Sequence, residues 1–357
     1  MMKRMVGMSL FSSAGIGDYF LNRNNIDIVV ANELVPRRAL LYRQVHKNTQ
    51  VVIGDITNEE IFDEVEQIAK EKNVKFMIAS PPCQGMSVAG KNRKLDEMTA
   101  DSRNYLLTYV VKMIKSVKPD YIIIENVPSL FKLKLKIDST YLSIEDYLKF
   151  ELGNHYNIET DTLDTANYDT PQRRKRAIVK INKHDTQWSW PRKSNEVKTV
   201  IDAIGDLPTL ESGEYSKIKW HFGRTHDERQ IEWMRHTPTG KSAFENLIHY
   251  PRKRDGTRVK GYQSSYRRIK WNEPAPTITI RNDCISSQRN VHPGRLKKDG
   301  TYSDARVLSI LELMRLTGLP DNWEIPVDTP EILIRQVLGE CIPPLLIEAL
   351  VKEIEYG

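Results

Sequence analysis

The chain has 357 residues, of which 39% are hydrophobic and 28% charged, a balance that supports a sizeable buried core and excludes a disordered polymer. A formal net charge of +6 suits a polyanionic partner without requiring one. The three cysteines, Cys83, Cys284 and Cys341, form no C-x-x-C pair, which argues against a disulfide framework or a cysteine-rich zinc site and fits a reducing, cytoplasmic setting.

The first seventeen residues carry Lys3 and Arg4 ahead of a moderately apolar run, but Gly7, Ser9, Ser12 and Ser13 interrupt it and Asp18 follows at once. A buried first strand over 5–11 is therefore expected rather than a signal peptide. Further strands are expected over 27–31, 51–53, 76–79 and 121–124, with helices near 17–23, 36–45, 58–72 and 104–117. Strands and helices alternating at this spacing imply βαβ units and a parallel sheet. A later strand is expected over 177–181. From about Trp188 to residue 300 the chain is rich in Arg, Lys, His, Trp, Tyr, Gly and Pro and has little periodicity, as expected of a separate irregular domain. His221 and His226 read as surface or loop histidines. Helical patterning returns over 304–318 and 330–355. No run of 18 apolar residues offers a membrane span.

Polar groups fall at the expected strand ends. Ser9-Leu10-Phe11-Ser12-Ser13-Ala14-Gly15-Ile16-Gly17-Asp18 is either a tight structural turn or a ligand-binding turn opening a helix. Glu33 closes the second strand, where a carboxylate can accept ribose hydroxyls. Asp55, in Val52-Ile53-Gly54-Asp55-Ile56, closes the third and can accept from an adenine amino group. Each acid taken alone reads more readily as a solvated strand end; the three positions taken in order favour a nucleoside cofactor. After the fourth strand comes Ser80-Pro81-Pro82-Cys83-Gln84-Gly85-Met86-Ser87. Its prolines make a loop, and a loop cysteine reads as a reactive thiol against the alternative of a buried free one. Glu125, in Tyr121-Ile122-Ile123-Ile124-Glu125-Asn126-Val127-Pro128, stands at the rim of a buried strand. It is either a satisfied strand-end acid or a group able to share a proton.

Pro-Pro-Cys-Gln followed by Glu-Asn-Val resembles the DNA (cytosine-5-)-methyltransferase family, in its prokaryotic restriction-modification form. Other segments resemble the family's motifs in the family's order: 11–15, Asp101-Ser102-Arg103-Asn104-Tyr105-Leu106, Pro171-Gln172-Arg173-Arg174-Lys175-Arg176, 268–280 and 336–344. Only about 185–265 lies outside the resemblance. The resemblance implies a doubly wound α/β sheet of mixed or parallel strands, a Rossmann-like fold that uses S-adenosyl-L-methionine. The expected organisation is a catalytic and cofactor-binding domain over 1–187, a smaller irregular target-recognition domain over 188–303, and a C-terminal segment over 304–357 returning to the catalytic domain. Cys83 is implied as nucleophile on cytosine C6, Glu125 as partner of N3 and the exocyclic amine, and Arg174 and Arg176 as neighbours of the base's O2 and a phosphate. The cofactor set implied is Phe11, Ser13, Gly15, Glu33, Asp55, Ile56, Pro82, Leu106 and Glu340; no metal is implied.

The substrate implied is a flipped-out cytosine in a short duplex DNA sequence. The same resemblance implies a monomer, located in the cytoplasm and on the nucleoid through its DNA, with a cognate restriction endonuclease in the same system. Arg, Lys and aromatic residues over 217–224, 250–258 and 262–270 would serve phosphates and base edges. The alternative is the tRNA-methylating branch; a non-catalytic DNA-binding relative would lack Cys83 or Glu125, and a dehydrogenase would explain neither Pro-Pro-Cys-Gln nor the basic domain. The chain departs from the family's Phe-x-Gly-x-Gly-Gly loop at Ser13 and Ile16, from Gly-Asn at Gly339-Glu340, and from a glycine before Pro-Gln at Asp169-Thr170.

Overall fold

The computed structural model describes residues 4–82, 105–137 and 140–355. The chain folds as two compact units: one comprises 1–164, 175–193 and 344–357, the other 165–174 and 194–343. The C-terminal segment expected over 304–357 is thus shared between them.

The first unit is built on a seven-stranded sheet. Its strands are β1 (Met5–Leu10), β2 (Ile26–Glu33), β3 (Gln50–Ile53), β4 (Phe76–Ala79), β5 (Tyr121–Asn126), β8 (Tyr156–Asp164) and β9 (Lys175–Lys183), in the order β3-β2-β1-β4-β5-β9-β8. The first five strands in that order run parallel; β9 is antiparallel to β5, and β8 to β9. β4 and β5 are buried along their whole length, as strands covered on both faces must be, and so they read as unbroken apolar runs. A separate hairpin pairs β6 (Lys134–Ile137) with β7 (Thr140–Ser143).

The helices that cover the sheet have clear local causes. α1 (Pro36–Val45) starts on a proline at its first position, where the missing N–H costs nothing. In α2 (Glu59–Glu71) the Asn58 side chain accepts from the Glu60 N–H, two glutamates occupy the first turn, and Phe62, Val65 and Ala69 line one buried face. α3 (Leu106–Val117) ends on Lys118 in a left-handed conformation, just before Pro119. α4 (Ile144–Leu152) is capped by the Ser143 hydroxyl accepting from Asp146 N–H. The faces of α2, α3 and α4 meet the sheet in one core containing Met8, Leu10, Val30, Phe62, Val110, Ile122, Ile124, Leu148 and Val179, and α1 packs Ala39 and Tyr42 on Ala31 and Val51 in a second.

The helix expected near 17–23 is instead a succession of turns ending in a 3-10 turn at Asn22–Asn24. The N–H groups of Asp18, Tyr19, Leu21 and Asn24 each reach back three residues rather than four. Asn25 then takes φ 59°, which stops the chain from continuing as a helix.

The second unit has short helices in an otherwise irregular chain: α5 (Val200–Ile204), α6 (Glu228–Arg235), α7 (Ile310–Thr317) and α8 (Glu331–Glu340). Patterning over 304–318 suggested a longer helix than α7. Asp304 takes φ 51°, and the helix begins only at the Ser309–Glu312 capping box. The helical stretch expected over 330–355 is α8 followed by α9 (Pro344–Lys352), interrupted before Pro344. α9 lies in the first unit, where Glu348 receives both Arg23 Nε and Nη2 at 2.7 Å and Leu350 O accepts the Trp188 indole N–H at 2.8 Å.

The second unit's apolar core is small: Ile231, Met234, Ala243, Ile285, Val291, Ala305 and Val307. Beside it lie fully buried charges, Arg268, Asp304, Arg306 and Glu312. One sequence expectation fails on this network. Arg268, in a stretch read as phosphate-facing, is buried and donates to the carbonyls of Met234, His292 and Asp304. His221, read as a surface or loop histidine, lies in a loop but is buried, with Nδ1 3.0 Å from Ser309 Oγ and Nε2 3.0 Å from Pro208 O. Carbonyl groups left unpaired by the irregular backbone need buried donors, and these side chains supply them.

Candidate active site

The strand order decides where a site can form. The chain runs outward from β1 to β3, then restarts on the other side of β1 with β4 and β5. Neighbouring loops at such a switch point diverge and leave a crevice beyond the strands' carboxyl ends. Leu10 is in register with Ala79, so the loop after β1 and the loop after β4 leave the sheet side by side.

Hydrogen bonds tie these ends together. Ser80 N–H donates to Leu10 O and Ser80 Oγ to Phe11 O, both at 3.3 Å. Asn126, closing β5, donates from Nδ2 to Pro81 O at 2.7 Å. On the other side, Ser12 N–H donates to Asn32 O at 3.0 Å, and Asn32 Nδ2 donates to the carbonyls of Val52 and Gly54 at 3.2 and 3.1 Å. Asn32 and Asn126, which sequence reasoning did not single out, thus brace the rim. Each lies beside a chosen acid, and that adjacency was the available signal.

The expected cofactor residues Phe11, Ser13, Gly15, Glu33, Asp55, Ile56, Pro82 and Leu106 all fall in the first unit. Phe11 and Ser13 take φ 57° and 48°, the left-handed region that glycine enters more easily. The Ser13 N–H donates to Glu33 Oε2 at 2.8 Å. Glu33 Oε1 accepts from Val35 N–H at 2.8 Å, so the buried carboxylate is oriented through both oxygens. Asp55 is exposed, and its Oδ1 accepts from the N–H and hydroxyl of Thr57, both at 2.9 Å. Ile56 is buried, Pro82 exposed, and Leu106 opens α3 packed against the core. Ile16, the larger departure from the family loop, is buried.

Behind the loop lies a buried polar cluster that the sequence did not reveal. Gly15 has φ 71°, and a Cβ there would meet His46 Nε2 at 2.5 Å and Tyr42 Cε2 at 2.6 Å. His46 Nε2 lies 2.9 Å from Gly15 O, its ring packs on Tyr42, and Tyr42 donates its hydroxyl to Asp18 at 2.8 Å. Burial pushes Asp18 up to about 6 and His46 down to about 4. The Asp18 sign is fixed by its raised folded-state pKa. The native state favours the proton, so stability is lost as pH rises from about 4 to about 6. Asp18→Asn is therefore expected to stabilise the protein at pH 8, by at most about 3 kcal/mol, and to leave it unchanged at pH 3.5. Urea unfolding at the two pH values checks this; equal shifts at both would show that Asp18 is not buried as a proton-holding group.

Glu125 meets Arg176 through strand register. Glu125 opposes Ile178 across the β5–β9 pair. Arg176 lies two residues along and shares its face, within reach of a long side chain. The Arg176 Nε to Glu125 Oε1 distance is 2.7 Å, and both side chains are about nine-tenths buried. Arg174 takes another course. It lies in the second unit, buried, and donates to Ile278 O at 2.7 Å and Gly339 O at 3.1 Å. Those carbonyls belong to the 268–280 and 336–344 segments. Gly339 is needed there, because a Cβ would come within 2.3 Å of Thr279 O. Glu340, half-buried at the end of α8, is in the same unit. Asp169, where the family has a glycine, takes φ 57°, one of the few non-glycine types that tolerates it. Cys83 lies outside the described residues, as does the segment 101–104; Pro81 and Pro82 mark where the Cys83 loop leaves β4.

The model of the family described as C-5 cytosine-specific DNA methylase matches residues 5–356. The chain is 66% identical over 354 residues to the type II methyltransferase M1.HgaI of Avibacterium volantium, covering 99% of each. It is 28% identical over 349 residues to the type II methyltransferase M1.HphI of Haemophilus parahaemolyticus, covering 97% of this chain and 86% of the relative. Among solved structures, a prophage-encoded E. coli protein shares the fold with TM-score 0.70 at 18% identity, covering 98% of both chains. The S. pombe Dnmt2 methyltransferase does so with TM-score 0.62 at 17% identity, covering 98% of this chain and 97% of that one.

Proposed function

The chain belongs to the C-5 cytosine-specific DNA methylase family, and on that premise we propose that it methylates a flipped-out cytosine in a short duplex sequence through a covalent bond between Cys83 and C6. It is a DNA (cytosine-5-)-methyltransferase of the type II restriction-modification kind. The observation that carries the finer reading is the buried Arg176–Glu125 pair beside the β4 rim, with Asn126 bound to Pro81 at the start of the Cys83 loop.

S-adenosyl-L-methionine fits the donor set at the rim. An oriented carboxylate at Glu33 matches a ribose diol, and Asp55 matches an adenine amine. Phe11, Pro82 and Leu106 offer apolar surface, and Ser13, Gly15 and Ile56 shape the backbone around them. When bound, it supplies an electrophilic methyl group for C5. The protein's task is to make C5 nucleophilic. The Cys83 thiolate adds at C6, and the ring's electrons move toward C5. Glu125 hands a proton to N3 and accepts from the exocyclic amine, so the addition leaves a neutral enamine, and it recovers that proton when Cys83 leaves. Arg176 fixes Glu125 in place, and Arg174 positions the backbone at Ile278 and Gly339. Loss of the C5 proton to solvent then expels Cys83 and restores the 5,6 double bond. Glu340, close to Gly339, is assigned to the cofactor side of the same machinery.

The DNA-facing surface is assigned to the second unit. Arg252, Lys253, Arg254, Arg258 and Lys260 are exposed, and the guanidinium groups of Arg252 and Arg258 lie 4.5 and 4.3 Å from the Tyr250 ring centre. Such cations neutralise phosphates and make binding salt-dependent. Work as a monomer beside a cognate endonuclease, in the cytoplasm and on the nucleoid, belongs to the same proposal; among the described residues no helix is long and apolar enough to cross a membrane.

The test is incubation of the purified protein with tritiated S-adenosyl-L-methionine and either mixed-sequence plasmid or tRNA. Label recovered as 5-methylcytosine in plasmid is the expected result, and bisulfite sequencing then gives the target. Label in tRNA alone would sink the DNA reading in favour of the RNA branch.

A further inference from the structure

Three residues of the loop after β1 take left-handed backbone: Phe11, Ser13 and Gly15, at φ 57°, 48° and 71°. Two of them are not glycine, and such conformations persist only where the surroundings hold them. Each of the three is held by a side chain from another element. Phe11 O accepts from Ser80 Oγ, the Ser13 N–H donates to Glu33, and Gly15 O accepts from His46 Nε2 at 2.9 Å. Ser80 and Glu33 stand at strand ends on the rim. His46 comes from the end of α1, and nothing in the reaction described above uses it.

His46 is fixed for this contact. It follows the last residue of α1, one turn after Tyr42, and its ring packs on the Tyr42 ring with centres 4.5 Å apart. Tyr42 is held in turn by donating its hydroxyl to Asp18 Oδ2 at 2.8 Å. The Asp18 N–H donates to the same Gly15 carbonyl at 3.1 Å. Gly15, His46, Tyr42 and Asp18 thus close a ring of contacts that joins α1 to the loop. A carbonyl only accepts, so the proton of the neutral His46 ring sits on Nε2. Burial keeps the ring neutral at physiological pH by pushing it down to about 4. We propose, on the cofactor reading above, that His46 is a positioning residue for cofactor binding. Its Nε2–H fastens the Gly15 carbonyl to α1 and so keeps residues 11–15 in the shape that receives S-adenosyl-L-methionine.

The test is calorimetric titration of the full chain with S-adenosyl-L-homocysteine. His46→Phe keeps a ring on Tyr42 and removes the donor. Loss of one hydrogen bond moves an equilibrium about fivefold, and apparent affinity falls with the fraction of molecules whose loop is ready. The phenylalanine variant should therefore raise Kd roughly fivefold. His46→Gln, whose amide nitrogen can take the place of Nε2, should bind within about twofold of the parent. In methyl transfer to plasmid, His46→Phe should raise KM for S-adenosyl-L-methionine by the same factor with kcat little changed, as loss of uniform binding does. A residue that only held the fold would lower the Tm of the ligand-free protein and leave Kd as it was. Circular dichroism shows whether His46→Phe is folded, and His46→Leu replaces it if it is not. Parent-like affinity in the folded variant without a donor, or no recovery with glutamine, overturns the proposal. A parent that binds no S-adenosyl-L-homocysteine overturns the cofactor reading itself, and this inference with it.

Discussion

A Cys83→Ser protein is expected to lose methyl transfer to DNA by about 10³-fold or more, as removal of a covalent nucleophile does elsewhere, while still binding DNA. A serine hydroxyl at neutral pH offers almost no anion, and cytosine C5 stays unreactive until C6 is attacked. The other thiols cannot substitute. Cys341 is buried and donates to Leu338 O at 3.2 Å, and Cys284 donates to the Asp283 carboxylate at 3.3 Å. The measurement is initial rate of tritium incorporation alongside a gel-shift titration. Retention of activity within tenfold of the parent would mean that the nucleophile is not Cys83. Loss of DNA binding together with activity would mean that the substitution had disturbed the fold.

Arg306→Ala is expected to destabilise the second unit by about 3–5 kcal/mol, the usual cost of stranding a buried charge's partner. Arg306 donates to Leu210 O at 2.7 Å, to Val307 O at 3.0 Å, to Asp304 Oδ1 at 2.9 Å and to both Glu312 oxygens at 2.8 Å. Glu312 in turn accepts from Ser309 N–H at 2.7 Å and so starts α7. Removing the guanidinium leaves two carboxylates buried beside each other and weakens a helix cap. Arg306→Lys should recover only part of the loss, because an ammonium cannot serve that many fixed acceptors. Urea unfolding followed by tryptophan fluorescence checks both, since Trp220, Trp233, Trp271 and Trp323 report on this unit; a change under about 1 kcal/mol for the alanine variant would refute the account.

The same network sets an acid limit. Burial works against the ionised forms of Asp304 and Glu312, yet Arg306, His292 and backbone donors outweigh it and hold both below the usual carboxylate range. Burial pushes His292 and His226 down to about 4. Each of these groups contributes stability above its unfolded pKa that is lost as pH falls, so the second unit weakens as pH drops from about 6.5 toward 4. Asp18 in the first unit acts in the opposite sense over nearly the same window.

The sequence by itself determined the parallel half of the sheet. Strands expected over 5–11, 27–31, 51–53, 76–79 and 121–124 correspond to Met5–Leu10, Ile26–Glu33, Gln50–Ile53, Phe76–Ala79 and Tyr121–Asn126. Strands covered on both faces must be apolar throughout, and that pattern survives in one dimension. The family and the reaction were legible for a related reason: Pro-Pro-Cys-Gln, Glu-Asn-Val and Gln-Arg-Arg-Lys-Arg are contiguous runs. Only tertiary structure decided the rest. β8, with the sequence YNIETDTLD, is half exposed at the sheet edge and exists because β9 pairs with it. Arg174 and Arg176 look equivalent two residues apart, but one clamps carbonyls in the second unit and the other meets Glu125 through antiparallel register. Arg268, in a stretch read as phosphate-facing, is fully buried, as is Arg306. A charge's position depends on whether distant residues bring it acceptors, and no local pattern records those acceptors, whereas an apolar run carries its burial in its own composition.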